Sequence, residues 1–84
     1  MKPPKSLCEA ISNNATFTLR VTESGTPTLY SSESNRALWP LNDFSFEAAR
    51  YFVDNYLEEF GYIPDESNPN TWIRGETTRK KGGL

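Results

Sequence analysis

The sequence predicts a single small α+β domain in which one amphipathic helix packs on a small antiparallel sheet. Residues 16–22 alternate between apolar and polar side chains, which is typical of a half-buried β-strand. Residues 46–60 place apolar side chains at the 3.6-residue period of a helix. The chain has 84 residues, enough for one domain and too few for two.

The composition predicts a small core that depends on aromatic rings. Leu, Ile, Val and Phe make up 17 of the 84 residues, which is close to the lower limit for a stable apolar core. Eleven Phe, Tyr and Trp residues raise the area that can be buried, because each ring is large. The sequence contains no apolar run long enough for a membrane span, and its single cysteine excludes an internal disulfide.

At the amino terminus we predict a flexible arm over residues 1–5, followed by a domain over residues 6–74. Ser6 and Glu9 have the spacing of a capping box, which predicts a short helix beginning there. Within it we expect Cys8 to be a small buried residue rather than a reactive thiol. Residues 75–84 have no apolar pattern and are predicted to form a disordered basic tail.

A β-hairpin is predicted next. The alternating strand at residues 16–22 is followed by turn-forming residues at 23–27 and by a shorter strand at 28–32. Residues 37–41 are apolar but contain a proline, so they predict either an edge strand or an ordered connector. Trp39 in this segment is expected to cover the core.

The strongest element is the helix over residues 46–60. Ser45 is the predicted N-cap, and Gly61 is predicted to end the helix in a left-handed conformation. Its apolar stripe consists of Phe46, Ala49, Phe52, Val53, Tyr56, Leu57 and Phe60. Residues 71–74 predict a final strand, so the expected order is (short α)-β-β-α-β.

The residue types argue against catalysis, a cofactor and a metal site. The chain has no histidine and one cysteine, so zinc and copper sites are not expected. Residues 65–70 are rich in Asp and Asn but lack the ligand order of a calcium loop. No glycine-rich phosphate loop opens a helix, and no base is available to a serine nucleophile except lysine. We therefore predict a protein that is not an enzyme.

The charge distribution is uneven. Residues 43–66 contain seven acids and one base, a net charge of −6, whereas residues 67–84 contain four bases and one acid, a net charge of +3. The remaining residues contribute +1, which gives the total of −2. The near-neutral total therefore conceals an acidic helix and a basic end.

The acidic helix is the predicted partner-binding surface. Its spacing places Glu47, Tyr51, Asp54 and Glu58 opposite the apolar stripe, with Glu59 beside them. An exposed tyrosine among acids is typical of an interface anchor. The alternative interpretation is an ordinary solvated face on which Arg50 pairs with Asp54 and Glu47.

The secondary candidates for binding are two tryptophans and the basic end. Trp39 and Trp72 are expected in the core, and each becomes a candidate anchor if it is exposed. Arg79, Lys80 and Lys81 are the candidates for nucleic-acid binding, with Trp72 as a stacking ring.

These features favour a non-enzymatic binding module or inhibitor that docks on a basic surface of a larger protein by steric and electrostatic occlusion. Small phage- or plasmid-encoded inhibitors of host enzymes or defence complexes have a comparable build, although no motif is shared. One alternative is a structural or regulatory subunit of a permanent complex; another is a nucleic-acid accessory protein. The lone cysteine and the lack of a secretory signal predict a cytoplasmic protein. It is expected to be a monomer, or a homodimer if the hairpin edge or the strand over residues 71–74 pairs with a second chain.

Overall fold

The computed structural model describes residues 2–75, which form an antiparallel five-stranded sheet and two helices. The elements in chain order are α1 (Lys5–Ser12), β1 (Phe17–Val21), β2 (Pro27–Ser31), β3 (Arg36–Pro40), α2 (Phe46–Glu58), β4 (Tyr62–Pro64) and β5 (Thr71–Arg74). The predicted α+β class is confirmed. The predicted basic tail, apart from Gly75, lies outside the described residues.

The sheet has the strand order β3-β2-β1-β5-β4, so β1 is at its centre. β1 and β2 form the predicted hairpin, with Leu19 opposite Leu29. On its other side β1 pairs antiparallel with β5, where Phe17 is opposite Trp72. The hairpin and the carboxyl-terminal strand are therefore confirmed, and α2 separates them in sequence.

The predicted strand order was incomplete, because the sheet has two further strands at its edges. β3 resolves the alternatives for residues 37–41 in favour of an edge strand, which pairs with β2 across an irregularity between Leu29 and Tyr30. β4 was missed altogether; it has three residues and pairs only with β5. Both strands end in a proline, Pro40 and Pro64, which a sheet accommodates at its edges.

Helix α2 begins as predicted and ends earlier. The Ser45 side chain accepts a hydrogen bond from the backbone N–H of Ala48 at 3.2 Å. The helix ends at Glu58, because the N–H of Gly61 bonds to the carbonyl of Glu58 in a tighter turn, and Gly61 adopts a φ of +87°. The predicted extension to Phe60 was therefore wrong, and Phe60 is exposed at the end of the apolar stripe.

Helix α1 differs from the prediction in its start and in its buried face. It begins at Lys5 with Pro4 at the N-cap, so Ser6 lies inside the helix and is not the cap. The helix buries Leu7 and Ile11, which are one turn apart. Cys8 points about 100° away from Leu7 and is exposed, so its predicted burial was wrong.

Both helices contribute buried residues to one core, and aromatic contacts pack α2 against the sheet. The Trp39 ring of β3 packs edge-on against Phe52 and Tyr56 of α2, with centroid distances of 5.4 and 5.3 Å. The Phe17 ring of β1 packs against Tyr62 of β4 at 5.3 Å. The two contacts of Trp39 hold α2 against the sheet, so the opposite face of the helix points outward.

Tyr62 adds a polar bond to this core. Its hydroxyl donates to the carbonyl of Ala15 at 2.5 Å, and the Arg74 guanidinium lies 5.0 Å from its ring centroid. Burial raises the pKa of Tyr62 above its ordinary value, and the nearby Arg74 charge opposes that shift. The neutral phenol is therefore the form that the fold stabilises.

Replacing Tyr62 by phenylalanine is expected to lower the free energy of unfolding by about 1 kcal/mol at neutral pH, through the lost hydrogen bond. Because the pKa of Tyr62 is raised in the folded state, the stabilising contribution of this residue is fully present below about pH 10. It is lost as the pH rises through the folded pKa. In this alkaline range the free energy of unfolding of Tyr62→Phe should fall less steeply with pH than that of the wild type. Some alkaline loss of stability remains in the variant, because burial also raises the pKa of Tyr56. Urea unfolding between pH 8 and 11 measures this, with Tyr51→Phe as the exposed control; equal alkaline slopes for Tyr62→Phe and wild type would contradict it.

Candidate functional site

Tyr51 is the most exposed large side chain with apolar character in the described part of the chain. It lies in the middle of α2 and is 73% exposed. The helix buries Ala49 and Val53 on its other side, so the tyrosine ring cannot reach the core. The predicted outward position of Tyr51 is thus confirmed.

Three of the predicted carboxylates are exposed. Glu47 lies one turn before Tyr51, and Glu58 lies two turns after it on the same face. Glu59 follows at the C-cap of the helix. The last turn of α2 contains no basic residue, but the guanidinium of Arg74 in β5 donates to the carbonyl of Phe60 just beyond it, so one positive charge lies near these two acids at the negative end of the helix dipole.

Asp54 has a structural contact that the sequence analysis did not predict. Its Oδ1 accepts a hydrogen bond from the indole Nε1–H of Trp72 at 3.0 Å. This bond joins α2 to β5 and leaves Asp54 partly buried. The alternative interpretation of a solvated face paired Asp54 with Arg50, whereas the hydrogen bond that Asp54 accepts in the structure comes from Trp72.

A groove of about 410 Å³ lies between α2 and the loop that connects β4 to β5. The helix lines it with Glu47, Arg50, Tyr51 and Asp54. The opposite wall consists of Pro64, Asp65, Pro69, Asn70, Thr71 and Trp72. The predicted helix face is therefore one wall of a concave site.

Hydrogen bonds within the β4–β5 loop stabilise the opposite wall of the groove. Asp65 accepts hydrogen bonds from the backbone N–H of Ser67 at 2.9 Å and from the side-chain amide of Asn68 at 3.1 Å. These bonds lower the pKa of Asp65, which therefore stays ionised at neutral pH. The sequence analysis considered this loop only as a calcium site, and nothing in local sequence placed it beside Tyr51.

The groove carries a net negative charge. Its lining includes three carboxylates, those of Glu47, Asp54 and Asp65, and one guanidinium, that of Arg50. Glu58 and Glu59 do not line it. Of the predicted set, the structure brings Glu47, Tyr51 and Asp54 together in the groove. The third carboxylate of the groove is that of Asp65, which was not in the predicted set.

The secondary candidates are not exposed anchors in the described part of the chain. Trp39 and Trp72 are 3% and 2% exposed, which confirms their interpretation as core residues. Trp72 contributes to the groove only as part of its wall. Arg79, Lys80 and Lys81 lie outside the described residues.

Over residues 2–75, no group of three or more Cys, Asp or Glu side chains is arranged to hold a metal ion. Neither helix in this range has the length and hydrophobicity needed to cross a membrane. The arrangement is suited to binding: an aromatic ring and two prolines supply flat apolar surface, and the carboxylates attract cations.

A scan against protein-family models and searches of curated proteins and of solved structures give no match to this chain.

Proposed function

We propose that this chain is a small non-enzymatic binding module that docks on a basic surface of a larger protein. The observation that supports the proposal is the 73% exposure of Tyr51 on a helix face that carries Glu47 and Glu58. A rigid aromatic ring anchors an interface, and the surrounding acids steer a basic partner toward it. The contact occludes the partner's surface by its bulk and its charge.

In this proposal the protein acts as an inhibitor in the cytoplasm, and the occluded surface belongs to an enzyme or to a defence complex. Its size and layout are comparable to those of small phage- or plasmid-encoded inhibitors. The exposed free thiol of Cys8 supports a reducing compartment, where it remains unoxidised.

The test is capture of a partner from the native host by the immobilised protein and by Tyr51→Ala/Glu58→Lys. We expect the double variant to bind the captured partner at least about 30-fold more weakly, because loss of an interface anchor costs about 2 kcal/mol or more. Both residues are exposed, so the thermal unfolding midpoint should stay close to that of the wild type.

The matched control is Ile63→Ala/Glu23→Lys, which also truncates one exposed apolar side chain and reverses one exposed charge. Its substitutions lie on β4 and in the hairpin turn, and we expect it to retain the partner. Capture that survives in Tyr51→Ala/Glu58→Lys, or that fails equally in both variants, would refute docking through the Tyr51 face.

One observation favours the alternative of a permanent subunit. Phe60 just before the edge strand β4 and Ile63 within it are both exposed, and a permanent partner packed at this edge would cover them. Raising NaCl from about 0.1 to about 1 M shortens the Debye length from about 10 to about 3 Å and should release a partner held by charge. A complex that resists this salt and is lost in Ile63→Ala would favour the subunit alternative.

A further inference from the structure

The groove beside Tyr51 has the chemistry of a site for a cationic side chain. Its volume of about 410 Å³ lies within the range of binding sites for small ligands, roughly 300–1,000 Å³. Three of its lining residues are carboxylates and one is a guanidinium, so a positive occupant is favoured. The groove is formed by α2 and the β4–β5 loop of the fold itself.

The two walls of the groove contribute different groups to binding. Tyr51 presents an exposed ring at the rim, and Pro64 and Pro69 supply flat apolar surface across from it. Asp54 lines the groove from the helix side, where the indole of Trp72 bonds to its Oδ1 and leaves Oδ2 as the second acceptor of the carboxylate. An ionised Asp65 completes the negative field from the loop side.

These features favour arginine over lysine. A guanidinium is planar, stacks on an aromatic ring and donates two parallel hydrogen bonds to carboxylates, whereas a lysine ammonium is a compact and strongly hydrated charge. Arg50 also lines the groove, so the three carboxylates and one guanidinium of the groove give a net charge of −2. Together with the volume of a small-ligand site, this charge fits one arginine side chain of a basic partner surface.

We infer that the groove between α2 and the β4–β5 loop binds a single arginine side chain of the partner, stacked on Tyr51 and bonded to the carboxylates of Glu47 and Asp54. This inference rests on the proposed function and names the partner chemistry of the same face. Tyr51 supplies the ring, and the bond from Trp72 positions Asp54.

The probe is a blocked Gly-Ser-Arg-Ser-Gly peptide, with its lysine and citrulline counterparts as controls. Binding is followed in the ¹H–¹⁵N spectrum of the full chain, where the indole N–H of Trp72 reports on Asp54. We expect the arginine peptide to shift this signal and the amides around Tyr51, and to bind about two- to fivefold more tightly than the lysine peptide. Citrulline keeps the shape without the charge and should not bind.

Tyr51→Ala and Glu47→Gln should each weaken arginine-peptide binding by about two- to fivefold, through loss of stacking and of one ion pair. Glu23→Gln makes the same charge change in the hairpin turn and should leave binding unchanged. Equal affinity for the arginine and lysine peptides, or shifts confined to residues outside the groove, would overturn the inference.

The outcomes separate this inference from the proposed function. If partner capture depends on Tyr51 and Glu58 while the arginine peptide leaves the groove signals unmoved, docking stands and the arginine site is wrong. If the arginine peptide binds the groove and Tyr51→Ala and Glu47→Gln weaken that binding, but partner capture is unchanged in Tyr51→Ala/Glu58→Lys, the arginine site is supported and the docking function is wrong.

Discussion

Replacing Phe17 by alanine is expected to lower the free energy of unfolding by about 3–5 kcal/mol. Phe17 is fully buried in the central strand, opposite Ser31 of β2 on one side and Trp72 of β5 on the other. Its ring also packs on Tyr62 of β4, so the cavity would border residues of four strands, β1, β2, β4 and β5. A domain of 84 residues has a total stability of roughly 4–13 kcal/mol, and this single change removes a large share.

Urea unfolding, followed by far-ultraviolet circular dichroism and by tryptophan fluorescence, measures this loss. Val21→Ala in the same strand is the matched control, because Val21 is exposed and its truncation should cost no more than about 0.5 kcal/mol. Similar losses for both variants would mean that β1 is not the buried centre of the sheet.

Replacing Trp72 by alanine is expected to cost a comparable 3–5 kcal/mol. The substitution empties the core under α2 and also removes the donor that holds Asp54. The partly buried carboxylate would lose its hydrogen-bond partner, which adds a penalty beyond the cavity itself. Trp72→Ala should also bind the arginine peptide more weakly than the wild type, because the groove loses part of its wall.

Two further variants separate the ring from the hydrogen bond. Trp72→Phe keeps an aromatic ring and loses the donor, and Asp54→Ala keeps the ring and leaves the indole N–H without an acceptor, at a cost of about 1–3 kcal/mol. In a double-mutant cycle the two substitutions should cost less together than the sum of their separate effects. Additive effects would show that the Asp54–Trp72 bond contributes nothing to stability.

The sequence predicted those elements whose signals are local. The alternation that includes Phe17 and Leu19 identified β1, and the period of Ala49 and Val53 identified α2, because burial of one face imposes each pattern. Val21 continues the alternation of β1 but is exposed at the end of the strand, so its expected burial was wrong. The edge strands were harder to predict. β4 has three residues and ends at Pro64, so too few residues alternate to form a pattern.

The candidate site could be predicted only on its helical side. Helical spacing placed Tyr51 outward, and the structure confirms that position. The second wall depends on the pairing of β4 with β5, which brings Asp65 and Thr71 back to the helix. The bond between Asp54 and Trp72 spans 18 positions, and its only sequence signal is that a buried indole N–H requires an acceptor.

The prolines that close β3 and β4 bear on how copies of this chain meet one another. Each outermost strand has a position at which no backbone N–H exists to extend the hydrogen-bond ladder, so a strand arriving from a second copy finds the ladder interrupted. Pro40 and Pro64 therefore each remove one donor at the end of an outermost strand, which weakens growth of the sheet from molecule to molecule toward cross-β fibrils at that position.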